Sequence, residues 1–251
     1  MTFLPQLYKM VDFLKEQGMF INHFWVNNGA SENEISEVEN ILGYKLDTSI
    51  TDFFRECNVV QLIWTHPQNQ YFDDMKKFTN SKEFISYGIN DNFNFDGSIM
   101  IEPIQDVFLQ DWYNRIYFDF TINDKREVPF ANNMTYIEPD FSKRIKPFDM
   151  YSHFNEHAFF LDGSSNPPVI MGDDYQACFT DSYLMNFKDY LEFTIYFYGS
   201  LEARRSFFGK YNGFKYPQKA IQDFWKLPLI DLSKYNGENG LEIPFKKDFW
   251  D

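Results

Sequence analysis

Residues 29–58, GASENEISEVENILGYKLDTSITDFFRECN, constrain the fold more than any other stretch of the chain. Ser31 and Glu34 have the spacing of a capping box. In that arrangement the serine oxygen accepts a backbone N–H at the helix start, and the glutamate reaches back to the serine N–H. Ile35, Val38, Ile41 and Leu42 then recur at helical spacing and predict one apolar stripe. Gly43 follows, where a left-handed residue closes a helix without a Cβ penalty. Glu32, Glu37 and Glu39 fall largely off the stripe and predict a solvated face. Asp47 is placed to cap a second helix carrying Ile50, Phe53, Phe54 and Cys57 on one side. The link Gly43-Tyr44-Lys45-Leu46 is short, so the two helices are expected to pack as a hairpin.

Upstream, Leu7, Met10, Val11 and Leu14 predict a helix from Pro5 to Phe20, with Pro5 in its first turn and Gly18 as a stop. After Asn58 the pattern changes to short runs rich in β-branched and aromatic residues. These are VVQLIW (59–64), SIMIEPI (98–104), RIYFDF (115–120), EHAFFL (156–161), PPVIM (167–171) and YQACF (175–179). Turn chemistry at 162–167 and at Gly172-Asp173-Asp174 predicts an antiparallel meander over 156–179. The polar insert from His66 to Asp96 reads as loop with a helical piece. Helical spacing returns at Ser182, with Leu184, Phe187 and Leu191 on one face, and continues in LEARRSFFGKY and PQKAIQDFWKL. The expected class is α+β: N-terminal helices, a central, largely antiparallel meandering sheet, and C-terminal helices. One domain is expected over 1–226, with an irregular tail over 227–251 packed on it.

Thirty Phe, 16 Tyr and 5 Trp supply ample material for a core. The 23 basic and 37 acidic residues give a net charge of −14, which repels phosphate and anionic lipid. Nucleic acid and membrane surfaces are therefore poor partners, whereas a basic protein would be attracted. Solubility alone is the other reading of the same acidity. No apolar run is long enough to span a bilayer, and the start MTFLPQLYKMVDFLKEQ lacks a basic n-region. Cytoplasmic residence is the expectation, with Cys57 and Cys178 as buried thiols rather than a disulfide.

Chemistry-bearing motifs are few. His153-Phe-Asn-Glu156-His157 fits H-x-x-E-H, in which two histidines one helical turn apart hold zinc and the glutamate acts as general base. That chemistry needs a helix, but the segment runs into AFFLDG, a strand and a turn. On a strand, residues 153 and 157 would lie about 13 Å apart and could not share a metal. A zinc hydrolase using His153, Glu156 and His157 is thus one expectation, and histidines packed in a sheet the other. No metal or cofactor is expected on the second. No G-x-S-x-G, Walker A or G-x-G-x-x-G sequence occurs. Asp73-Asp74 and Asp173-Asp174 are expected in loops or turns, where they could bind a cation, meet a basic protein or simply be solvated. Arg204-Arg205 could grip a phosphate, but on a C-terminal helix beside Glu202 the pair reads rather as surface ion-pairing residues.

The opening stretch resembles the N-terminal signature of the SUKH superfamily, which includes fungal cell-wall assembly regulators and bacterial toxin-immunity proteins. The residues that carry the resemblance are Gly29, Ala30, Ser31, Glu34, Ile35, Leu42-Gly43, Leu46, Phe53, Phe54 and Asn58, with Leu62 and Trp64 beyond them. Ile101-Glu102-Pro103-Ile104, Pro147-Phe148 and Pro168-Val169-Ile170 are similar to the family's sheet, and Ser182 to Leu191 to its closing helix. The resemblance covers 25–198; in the family Asn-Gly often follows the second helix, whereas here Asn58 precedes Val59-Val60. It implies an α+β protein-binding module without catalytic residues or a cofactor. The implied role is an immunity protein that binds a toxin domain, with a regulatory scaffold of the cell-wall type as the alternative.

Overall fold

The computed structural model describes residues 3–77, 95–112, 125, 127–130, 134–152, 155–173, 185–201 and 204. The expected strands at 115–120 and 175–179, the helical segments beyond 204 and the tail over 227–251 lie outside the described residues, as do His153, Asp174, Cys178 and Arg205.

The first helix, α1 (Phe3–Glu16), buries Leu7, Met10, Val11 and Leu14 as its spacing predicts, but it ends four residues earlier than expected. Gly18, at φ 81°, turns the chain into a strand, β1 (Phe20–Val26). Helix α2 (Glu32–Leu42) begins with the full capping box of Ser31 and Glu34 and ends at Gly43, φ 78°. Helix α3 (Thr48–Glu56) is capped by the Asp47 side chain and buries Ile50, Phe53 and Phe54. The hairpin is drawn together at one end: Arg55 at the close of α3 pairs with both oxygens of Glu32, at 2.6 and 3.1 Å. Here Gly29 is required, because a Cβ on it would sit 1.7 Å from the Arg55 carbonyl oxygen.

Two features of α2 differ from expectation. Ile41 is 64% exposed, so the buried stripe consists of Ile35 and Val38, with Leu42 half-buried. Glu39 is buried rather than solvated: its carboxylate accepts the Leu46 N–H at 3.1 Å and the Lys45 ammonium at 2.6 Å. The short α2–α3 link folds back over it, which gives this glutamate two donors and removes it from water.

Beyond α3 run β2 (Val60–Thr65), the short helix α4 (Phe72–Met75), β3 (Gly97–Ile101) and the helix α5 (Ile104–Leu109). The expected strand 98–104 therefore stops at Ile101, and Pro103 opens a helix instead. Asn58 explains that start: its side-chain oxygen accepts the Ile104 N–H at 2.9 Å. Then come β4 (Glu127–Phe130), β5 (Met134–Ile137), the helical turn α6 (Asp140–Lys143), β6 (Ile145–Ser152), β7 (Asn155–Phe160), β8 (Val169–Asp173) and α7 (Phe187–Tyr196).

Six strands form one sheet in the order β1-β2-β3-β6-β7-β8, and every neighbouring pair is antiparallel. Strands β4 and β5 make a separate hairpin. The fold class is α+β, as expected. Alternate strand residues point to opposite faces, which sorts the core into layers. Val60, Leu62, Trp64, Ile99, Ile101 and Phe159 join α1, α2, α3, α5 and α7 in the largest cluster. On the other face Ala158, Phe160 and Ile170 pack under the β4–β5 hairpin and α6, while Ile63 and Met100 pack with Met75 of α4. The sheet is covered on both sides.

Candidate protein-binding surface

His157 lies on β7, a strand, so the helical placement that an H-x-x-E-H zinc site requires is not met. Glu156 and His157 are consecutive strand residues and face opposite sides of the sheet. Among the described residues no group of three potential metal ligands comes together. His157 is fully buried, and its ring lies 4.6 Å from that of Tyr190 on α7. Desolvation, with the positive charge of Arg204 nearby, holds its pKa well below the usual histidine value.

Beside it is a buried polar cluster that the sequence did not reveal. Asp149 on β6 has no exposed surface and accepts the Met100 N–H at 2.7 Å and the Tyr190 hydroxyl at 2.5 Å. Arg204 is buried with it, its guanidinium 3.3 Å from the carboxylate, and so is not the surface ion-pairing residue expected. The cluster joins β3, β6 and α7 to the chain beyond Ser200. Its position under the helical layer makes it a structural device.

The expected acidic loops are placed differently from each other. Asp73 and Asp74 are exposed on α4, one helical turn within the insert. Asp74 pairs with Lys77 at 2.6 Å, and the Lys76 ammonium lies over the Phe72 ring, so this turn is charge-balanced rather than acidic. Asp173 belongs to β8, where it pairs with Asn155, and not to a turn: the strand continues through Gly172 because β7 extends to meet it.

A groove of about 600 Å³ opens between α1, α3 and α7. Phe3, Phe53 and Leu191, all buried, are its apolar lining, and Phe3 and Phe53 meet edge to face at 5.1 Å. Its rim carries the carboxylates of Asp52, Glu56 and Glu192 with the cations of Arg55 and Lys188. Glu56 is committed to structure, since its two oxygens accept the Phe3 and Leu4 N–H groups at the start of α1. Asp52 is exposed and 3.0 Å from Arg55. Glu192 lies 3.8 Å from Lys188. Aromatic residues ringed by charged groups form the usual anatomy of a protein-binding patch. None of these residues stood out in the sequence as a site, because the groove is made by three helices that meet only in the fold.

No protein-family model matches the chain, and no curated protein is significantly similar to it in sequence.

Proposed function

We propose that the chain is a non-catalytic protein-binding module: a cytoplasmic immunity protein that neutralises a basic toxin domain by direct binding. The groove between α1, α3 and α7 carries this reading. It offers an aromatic floor for an anchoring side chain, within a rim of paired charges that a charged partner can re-pair with. The net charge of −14 favours the same partner and disfavours nucleic acid and membrane. The resemblance of residues 29–58 to the SUKH signature supports the immunity role.

The immunity reading predicts a toxin gene beside the one for this chain, and the test is titration calorimetry and toxin inhibition with the domain that gene encodes. An equimolar complex that abolishes the toxin's activity is expected. Asp52→Arg with Glu192→Arg should weaken binding by about ten- to a hundredfold, as charge reversal in an interface does. Asp73→Asn with Asp74→Asn should change it little, because α4 does not line the groove. The absence of a complex, or one indifferent to the groove variants, would overturn the reading.

A further inference from the structure

We propose that the outer edge of β1 is a self-association site, at which two copies of the chain pair their β1 strands antiparallel and join their sheets. β1 is the terminal strand of the six-stranded sheet, and among the described residues none pairs with its outer side. The phase of the ladder identifies the groups that side presents. Asn27 donates its N–H to Val59, on the β2 side. Alternation then turns the backbone groups of Trp25 inward and those of Phe24 and Val26 outward. The Trp64 carbonyl, opposite Ile21, accepts from Asp96 on the β3 side, so Ile21 also turns its own groups outward.

Exposed edges in soluble proteins are normally blunted by charge, proline or a short strand. β1 has seven residues, FINHFWV, without Lys, Arg, Asp, Glu or Pro. Among the described residues, a bulge at Asn22 is the one protective device on its ladder. Trp25 is 43% exposed, and Tyr8 of α1, 48% exposed, packs edge to face on Phe24 at 5.5 Å. His23 is buried, yet its Nδ1 has no hydrogen-bond partner.

Charge selects a second copy as the occupant. The flanking elements are neutral: α1 carries Lys9 and Lys15 against Asp12 and Glu16, and residues 72–77 carry Lys76 and Lys77 against Asp73 and Asp74. In a chain of net −14, this is a surface on which two like-charged copies can meet with each flanking carboxylate balanced by a lysine. A twofold axis brings the same strand to itself, so matched length and hydrophobicity are guaranteed. A basic partner would find no complementary charge here.

Sedimentation velocity of the full chain across concentration and salt tests the proposal. Salt screens the repulsion between the two acidic bodies, so the dimer should tighten by about tenfold from low to physiological ionic strength. Val26→Pro removes an outward N–H and leaves the ladder to β2 intact; Trp25→Lys adds a charge at an exposed position. Each should shift the chain to monomer while far-UV circular dichroism and the urea midpoint hold. Trp25→Lys alone decides the matter if the proline variant does not fold. A chain that stays monomeric at every concentration and salt, or a dimer indifferent to these variants, would overturn it.

Discussion

Asp149 shows how much a single buried carboxylate can hold. It accepts a backbone N–H from β3 and the Tyr190 hydroxyl, and it faces the guanidinium of Arg204. Its removal would leave a buried cation without its carboxylate and two donors without an acceptor. Asp149→Ala should therefore cost about 3–5 kcal/mol in urea unfolding. The neighbouring His157 gives stability a pH dependence. Its folded pKa lies well below the ordinary value, so the unfolded chain takes up the proton first as pH falls. Its contribution is present above about pH 6.5 and is lost as pH falls towards the folded pKa. His66, also lowered by burial, acts in the same direction. Urea midpoints should drop between pH 7 and 5, and His157→Gln should flatten that drop. Cys57 behaves as expected of a packed thiol: burial pushes its pKa up to about 12, and it should react with thiol reagents only on unfolding.

Among the elements, the capped helix pair carries the clearest test of packing. Phe53 touches Phe3, Phe54 and Phe187 at centroid distances of 5.1–5.2 Å. Phe53→Ala should thus cost about 3–5 kcal/mol. Ser31→Ala removes only the cap and should cost about 1 kcal/mol. Both caps, the Gly43 stop and most buried positions of α1 and α3 were legible in the sequence, because they follow from local chemistry. Strand β1 was not. Its bulge at Asn22 puts two polar residues in succession and breaks the period of two by which strands are recognised. Glu39 and Arg204 were misread as surface residues for a different reason: burial of a charge is decided by partners distant in the chain or across a turn. The Asn58–Ile104 bond is likewise invisible to a reading along the chain.

At the scale of the whole molecule, one sheet is enclosed by a helical layer on one side, and by the β4–β5 hairpin with the short helices α4 and α6 on the other. The α+β class was legible from the order of the runs, helical first, then strand-like, then helical again. The groove was not, since α1, α3 and α7 come from opposite ends of the sequence and converge only on the sheet. The proposed mode of action is capture of a basic protein by this acidic body at that groove. Stopped-flow association with the proposed toxin partner across a salt series tests it most directly. Exposed charges are screened over about 8 Å at physiological ionic strength, so the association rate should fall by about tenfold or more as salt rises. Dissociation should respond less, because the packed centre governs it. Asp52→Asn with Glu192→Gln should slow association and leave the fold intact. An association rate unmoved by salt, and identical in those variants, would contradict the account.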